Sequence, residues 1–392
     1  MILKYMTLGM VVIYVLFNVY FKLRYPFWSK QPIFYYHDIP NLFFPRGIIE
    51  TSLPSITRKI HKHIDYKEAK SLTKQEVSEL TNLLTNNYMT EKHEQYIPSN
   101  NDIMDHLLFK NMPSCVSLYR DTLYKEVIGS MTSTYKDFLK HNLQLKVGYI
   151  DNLCVDKKHR GKNIAGQLIE NHYVRERYQY KTAVYMFKHE GISRPFVPLT
   201  IYQTYFYNLE TFDAILVTQN YLSSILITND TSHLLYDLQS ILTNHMLDTK
   251  PQKQSIPFKF QCIIMDEFEH LIYLIKKKHI YVFCLIEEGI PLAFYFFKNI
   301  YTTYDGDKSI ECFSSIKFQP TLDDSKFLLG FYLAIDNLKT IDKYKILLLE
   351  NISDTHYLLQ NIKQPSYHSS KYYYYMYNYA MKPVGAKHIV IL

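Results

Sequence analysis

Residues 149–173, YIDNLCVDKKHRGKNIAGQLIENHY, run from an apolar, strand-like stretch through a basic turn into an amphipathic helix pattern. The turn contains Lys157, Lys158, His159, Arg160, Gly161 and Lys162. The first amides of a helix lack partners within the helix, and the helix dipole adds partial positive charge at the same end. A strand that enters a helix through such a turn is therefore typical of a phosphate site. A solvated basic loop is the alternative, and the spacing of a P-loop is absent.

The composition describes a protein with a substantial core and a mildly basic surface. The chain has 392 residues, 47% hydrophobic and 21% charged, which is enough for one large or two fused domains. The net charge of +7 suits an acidic ligand, but it is too dispersed to indicate nucleic acid as a partner. The five cysteines form no CxxC pair, so we expect reduced, intracellular thiols without a disulfide framework or a metal site.

The N-terminus is the clearest anomaly in the composition. Residues 5–21, YMTLGMVVIYVLFNVYF, carry no charge and are flanked by Lys4, Lys22 and Arg24. This length is at the short end of a membrane span, and no cleavage site with small residues follows it. We therefore predict an uncleaved, single-pass transmembrane helix at residues 1–23, a membrane as partner, and a catalytic body that faces the cytosol. A buried core helix is the alternative interpretation.

Beyond the N-terminus the patterns predict an α+β fold. Thr73 with Glu76, and Ser99 with Asp102, form capping boxes ahead of two helix patterns. The chain then continues with three strand-like runs at 114–119, 124–133 and 145–155, a helix at about 163–178 and a strand at 182–187. Similar ingredients recur from about residue 264, without a second basic turn.

Several stretches together resemble the glycylpeptide N-myristoyltransferases. The signature of that family is similar to LCVDKKHRGKNIAGQLI at 153–169, and its R-G-K-N-I-A portion resembles the acyl-CoA turn of GNAT-type acyltransferases. Further similarity lies in YPFWSKQPI at 25–33, LTNLLTNNY at 80–88, YYMYNY at 374–379 and GAKHIVIL at the chain end. The similarity is strong at these motifs and thin between them.

The resemblance implies a fold of two fused GNAT-like halves in pseudo-twofold arrangement. We expect an N-terminal, acyl-CoA-binding half at 24–209, a connecting region at 210–263, and a second half at 264–392 that carries the peptide groove. The implied activity is transfer of a myristoyl group from myristoyl-CoA to the N-terminal glycine amine of a protein or peptide. Myristoyl-CoA is then a co-substrate, and no cofactor is required.

The resemblance also assigns roles to individual residues. The acyl-CoA site would comprise Phe27, Trp28, Asn152, Leu153, Cys154, Val155, Arg160, Gly161, Lys162, Asn163, Ile164 and Ala165. The backbone N–H groups of Asn152 and Leu153 would form the oxyanion hole, and the C-terminal carboxylate of Leu392 would act as the base. Burial of that carboxylate in the apolar strand that ends the chain would raise its proton affinity. An ordinary edge strand is the alternative.

The acceptor side departs from the family pattern. Tyr88, Tyr202 and Asn208 match residues of the family's peptide groove, but its acids are replaced at 89–93 and at 368–370. Tyr185 is followed by Met186, Phe187 and Lys188 instead of Thr-Ala-Gly. Preference for basic acceptor peptides is therefore in question. Two other interpretations stay open. The protein could be an acyl-CoA-binding or interaction protein with reduced catalytic activity on the same scaffold, or a generic GNAT acetyltransferase.

Overall fold

The structure is a computed structural model, which describes residues 2–55, 60–89, 91, 93–108, 111–123, 125–212, 222–247 and 260–392. Much of the predicted connecting region 210–263 lies outside these ranges. Positions 90 and 92, among the substituted groove positions, lie outside them as well. The boundaries of the predicted halves remain predictions.

The strands of the described residues are as follows, in chain order: β1 Gly47–Ile48, β2 Ile64–Glu68, β3 Glu94–Tyr96, β4 Cys115–Arg120, β5 Val127–Lys140, β6 Leu143–Val155, β7 Tyr185–Glu190, β8 Thr200–Asn208, β9 Leu222–Leu226, β10 Cys262–Met265, β11 Ile280–Glu287, β12 Ile290–Tyr304, β13 Asp307–Lys317, β14 Ile346–Glu350, β15 His368–Tyr377, β16 Tyr379–Ala380 and β17 Ile389–Ile391. The helices are α1 Ile2–Arg24, α2 Ile39–Phe43, α3 Lys74–Asn87, α4 Asn100–Leu107, α5 Ile164–Tyr180, α6 His233–Leu247, α7 Phe268–Lys276, α8 Asp324–Ile341 and α9 Thr355–Asn361.

The strands form one large mixed sheet and a two-stranded ribbon. Within the described residues the large sheet has 15 strands, with the main order β17-β10-β5-β6-β7-β15-β8-β14-β13-β12-β11-β9. Most neighbours are antiparallel, but β17 with β10, β6 with β7, and β13 with β14 are parallel. Helices and strands are mixed in the order expected, so the predicted α+β class is confirmed.

A unit of two strands, a helix and a strand occurs twice along the chain. The first is β5, β6, α5 and β7, and the second is β12, β13, α8 and β14. In each unit the helix connects two parallel strands, as a crossover connection requires. The next strand of each unit pairs with the other unit, since β8 lies beside β14 and β15 lies beside β7. Because β8 and β15 also pair with each other, residues of both units meet at the centre of the sheet.

The N-terminal helix corrects one prediction. In the described part of the chain, no helix has the length and the apolar character needed to cross a membrane. The predicted transmembrane helix at residues 1–23, and with it the single-pass membrane localisation, is therefore wrong. The C-terminal part of α1 packs on the protein itself, since the buried Phe21 ring contacts the rings of Tyr35 and His37.

The two predicted capping boxes are confirmed. Thr73 caps α3 and Ser99 caps α4, and in both boxes the acidic side chain three residues later returns a hydrogen bond to the cap backbone. These contacts satisfy amides that would otherwise lack partners. The first box defines the start of α3, whose last residue, Asn87, contacts the basic turn.

Candidate active site

A β-bulge interrupts β6 directly before the basic turn. Across the pair with β5, Asp151 lies opposite Thr132 and Cys154 lies opposite Ser130, so Asn152 and Leu153 share one partner position. Asn152 adopts a left-handed backbone conformation with φ of 51°. A bulge takes an extra residue out of the hydrogen-bonded ladder and re-aims the backbone groups around it.

Side chains of β5 hold the bulge in place. The Ser130 hydroxyl donates to the Asn152 carbonyl at 2.9 Å, and Asn152 Nδ2 donates to Thr132 Oγ1 at 3.1 Å. The Asn152 N–H donates to Asp151 Oδ1 at 2.8 Å. One of the two predicted oxyanion donors is thus engaged by its neighbouring carboxylate, while Leu153 follows it on the bulge.

The basic turn is anchored to the end of α3. Asn87 Oδ1 accepts from the Lys157 N–H at 2.9 Å, and the Asn87 carbonyl accepts from Arg160 Nη2 at 2.6 Å. Arg160 Nε donates to the Val155 carbonyl at 3.1 Å. Arg160 therefore shapes the turn through backbone contacts. Lys157 and Lys162 are exposed, and they present the charge that a phosphate would meet.

The start of α5 brings further predicted residues together. Gly161 and Asn163 have φ of 82° and 58°, and the helix begins at Ile164. The Phe27 ring lies against the first turn, because a Cβ added to Gly166 would come within 2.9 Å of it. The ring of the neighbouring Trp28 is 4.9 Å from that of Phe27 between centroids. The predicted N-terminal and turn residues of the acyl-CoA site thus lie side by side.

A cavity of about 260 Å³ adjoins the bulge. Its wall includes the predicted site residues Trp28, Tyr88, Asn152 and Leu153. The parallel pairing of β6 with β7 extends only over residues 148–150 and 185–187. The ladder ends at the pair Ile150–Phe187, directly before the bulge, and both residues of this last pair line the cavity.

The two faces of the sheet give the cavity two different sides. Ile150 and Phe187 pair directly and lie on the face that packs against α5. Asp151 and Lys188 are the next residues of the two strands, and successive side chains point to opposite faces. Both line the cavity. One side is therefore mainly apolar, and the other carries charge.

A buried polar cluster fixes α5 to the sheet beside the cavity. The His172 ring lines the cavity and hydrogen-bonds to the hydroxyls of Ser117 and Ser133 at 2.8 and 2.9 Å. Glu176 Oε1 lies 3.4 Å from His172 Nε2. Burial alone would raise the pKa of Glu176, but the charge of His172 and hydrogen bonds lower it below its usual value. The sequence patterns did not indicate this cluster.

The charged side of the cavity continues into a network contributed by both units. Lys188 Nζ lies 3.1 Å from Glu311 Oε1 and also contacts Glu350, and Lys298 Nζ lies 3.0 Å from Glu311 Oε2. The Tyr202 hydroxyl donates to Glu350 at 2.9 Å. Buried charges persist when they are paired in this way. The predicted groove residue Tyr202 is thus hydrogen-bonded to this network.

The two carboxylates of the network differ in their number of cationic partners. Glu311 faces both Lys188 and Lys298, whose charges overcome the effect of burial and lower its pKa. Glu350 contacts only the first of these lysines, and burial together with the charge of Glu311 raises its pKa to about 8. A proton is therefore held more tightly by Glu350 than by Glu311.

The C-terminus is a strand, as the apolar pattern predicted, and it is buried although it lies at the edge of the main strand order. β17 lies parallel to β10, and Leu392 is only 5% exposed. One oxygen of its carboxylate accepts from Lys136 Nζ at 2.8 Å and from the Asp266 N–H at 3.1 Å. Within the described part of the chain, Leu392 is not among the residues that line the cavity.

The remaining predicted residues have mixed positions. Cys154 is buried, and burial raises the pKa of its thiol to about 11, in keeping with a packed residue. Asn208 lies at the far end of β8 and caps the following turn through a 2.9 Å bond from the Glu210 N–H. In the described residues it is not part of the cavity wall.

Comparison with known proteins defines the class of fold first. Residues 78–186 match the acetyltransferase (GNAT) family model. None of the curated protein sequences matches the chain significantly. The bulge and the basic turn thus lie within the region that matches the acetyltransferase (GNAT) family.

Solved structures extend the likeness to nearly the whole chain. Saccharomyces cerevisiae N-myristoyltransferase with bound myristoyl-CoA matches with a TM-score of 0.74 and 13% identity, over 94% of this chain and 95% of that one. A second structure of the yeast enzyme with myristoyl-CoA gives a TM-score of 0.69 and 13% identity, over 92% and 94% of the two chains. The protein therefore has the overall fold of N-myristoyltransferase.

Proposed function

We propose that this protein is an acyltransferase that moves a long-chain acyl group, myristoyl by resemblance, from acyl-CoA to the N-terminal glycine amine of a peptide or protein. The observation that carries the proposal is the cavity beside the bulge of β6, the strand that leads directly into the basic turn before α5. These neighbouring features would supply phosphate contacts, an apolar chamber and a backbone donor.

The acyl-CoA would lie across the start of α5. Its phosphates would meet the exposed lysines 157 and 162 and the first amides of the helix. Its acyl chain would enter the apolar side of the cavity, beside Trp28, Ile150 and Phe187. The thioester would then reach the bulge, where the backbone N–H of Leu153 could stabilise the negative charge that develops on its oxygen.

The acceptor would approach from the charged side. An N-terminal amine has a pKa near 8, so at neutral pH it is mostly protonated and must lose a proton before it attacks. The resemblance assigns this proton to the Leu392 carboxylate. Tyr88 on the cavity wall and Tyr202 in the charged network would contact the acceptor chain. The altered acids of the groove leave its side-chain preference open.

The test is transfer by the purified full-length chain. Radiolabelled myristoyl-CoA is incubated with a library of N-terminal-glycine peptides, and the expected product is an amide that resists hydroxylamine. Competition by acetyl-CoA at comparable concentration would favour a generic acetyltransferase. Binding of myristoyl-CoA without transfer to any peptide would favour the acyl-CoA-binding protein and reject the proposed activity.

A further inference from the structure

Asp151 occupies a distinctive position in the candidate site. It is the last residue of β6 before the bulge, and its side chain lines the cavity. One of its carboxylate oxygens accepts from the N–H of Asn152, and the bulge amide of Leu153 follows. A thioester carbonyl bound at the bulge would therefore lie next to this carboxylate.

The surroundings of Asp151 come from many elements of the fold. The described charged and titratable groups that act on it electrostatically are Lys136 on β5, Lys188 on β7, Lys298 on β12, Tyr88 after α3, Tyr96 on β3 and Tyr149 on β6. The Asp151 side chain is accessible to solvent along the cavity. The lysines favour its ionised form, but the protein atoms packed around it restrict its hydration, and this desolvation is the larger effect, so the pKa of Asp151 is raised above its usual value.

The terminal carboxylate is placed differently. One of its two oxygens is bound to the ammonium of Lys136 and to the N–H of Asp266, so a substrate ammonium would compete with Lys136 for this oxygen. Among the described residues Leu392 does not line the cavity that would hold the reacting atoms, whereas Asp151 does.

We propose that Asp151 is the catalytic base that removes a proton from the acceptor amine, with Lys136 and the Leu392 carboxylate as a positioning pair. This inference rests on the proposed acyl transfer. The ammonium gives one proton to the Asp151 carboxylate, and the free amine nitrogen attacks the thioester carbon. The C–S bond then breaks with its electron pair on sulfur. The second nitrogen proton neutralises the CoA thiolate, so the products are the amide, free CoA thiol and one proton on Asp151.

The decisive variant is Asp151→Asn, which keeps the shape but cannot accept the proton. A positioned base contributes about 10²–10⁴-fold, and we expect a loss of that size in turnover with glycine peptides. Binding of myristoyl-CoA, measured by calorimetry, should stay within about twofold of the parent. Asp137→Asn is the matched control, because Asp137 is on the adjacent strand and bonds Lys146 at 3.0 Å. It should retain activity.

A second acceptor separates the base from the rest of the reaction. Hydroxylamine is unprotonated at neutral pH and needs no base for its attack. Once the uncatalysed reaction of hydroxylamine with the thioester is subtracted, Asp151→Asn should therefore transfer the acyl group to hydroxylamine at close to the parental rate, and Asp151→Glu should recover part of the peptide activity. The acidic limb of the parental pH profile of kcat/KM should disappear in Asp151→Asn.

The possible outcomes separate the assignment of the base from the proposed acyl transfer. Full peptide activity in Asp151→Asn, or equal loss with peptide and hydroxylamine despite intact acyl-CoA binding, would overturn the assignment of the base while the transferase remains. If the parent transfers to hydroxylamine but to no glycine peptide, the proposed acceptor is wrong. If it transfers to neither, the proposed function and the assignment of the base both fail.

Discussion

Lys136 connects the end of the chain to the candidate site, because its Nζ donates a 2.8 Å hydrogen bond to a carboxylate oxygen of Leu392. The same ammonium lies 5.6 Å from the centroid of the Tyr149 ring, two residues before Asp151. Lys136 therefore links the C-terminal carboxylate to Asp151 on the cavity wall, because its ammonium binds the first and acts electrostatically on the second.

A C-terminal extension tests this coupling. One added glycine would turn the Leu392 carboxylate into a neutral peptide carbonyl and move the terminal charge by up to about 3.5 Å, so Lys136 would lose its charged partner at that position. We expect slower transfer to glycine peptides with unchanged acyl-CoA binding, and a smaller loss than in Asp151→Asn, since the base itself remains. The measurement is single-turnover kinetics on both variants. Complete loss in the extended chain, with an active Asp151→Asn variant, would return the role of base to Leu392.

The second prediction concerns the basic turn. Reversing the charge of two exposed lysines of the turn, in Lys157→Glu/Lys162→Glu, should weaken myristoyl-CoA binding by about 2 kcal/mol or more, because bonds to charged groups are the strong ones. Lys363→Glu/Lys382→Glu, at two exposed positions in the other half of the chain, makes the same change in net charge and is the control. Titration calorimetry at low and high salt measures the effect. Equal affinity of the double variant and the control would remove the phosphate site from this turn.

The third prediction concerns the length of the acyl chain. Each buried methylene contributes about 0.8 kcal/mol, so two methylenes strengthen binding by about tenfold. A series of acyl-CoA molecules that grows from acetyl by two carbons at a time should gain affinity in such steps until the cavity is full. Competition binding provides the series. A flat response across all lengths would show that the acyl chain does not enter the apolar side of the cavity.

The fourth prediction follows from the pKa of Glu350, which burial and Glu311 raise to about 8 from a usual value of 4.5. Between these pH values the folded protein holds a proton that the unfolded chain releases, so stability decreases as pH rises through this window. Glu350→Gln stays uncharged throughout, and its melting temperature should decline less between pH 5 and pH 8. Glu210→Gln, at an exposed position outside the charged network, is the control and should keep the parental slope. Parallel curves for Glu350→Gln and the parent would contradict the shift.

Local features of the site were accessible from the sequence. Thr73 and Ser99 predicted their capping boxes because a cap involves residues only three positions apart. The helix that begins at Ile164 after a basic turn was predicted for the same reason. The resemblance drew attention to the bulge residues Asn152 and Leu153, and the structure places them on the cavity wall.

The role of Arg160 was not accessible in this way. In the sequence its charge belongs to the turn, and it was expected to meet a phosphate. In the structure the guanidinium donates to the carbonyls of Val155 and Asn87. Asn87 lies 73 positions away, so only the packing of α3 against the turn shows where this charge is directed.

The short-range features, namely the capped helices, the strand–turn–helix order and the apolar last strand, follow from the sequence because they depend on neighbours along the chain. The charged side of the cavity depends instead on contacts between distant parts of the chain. Lys188 contacts Glu311 and Glu350, which are 123 and 162 positions away in the sequence. These contacts form because β8 of the first unit pairs with β14 of the second, and β15 of the second pairs with β7 of the first. The residues around a single acidic residue in an apolar strand do not show which distant lysine will pair with it. The long-range pairing of strands supplies that partner, and it offsets the cost of burying the charge.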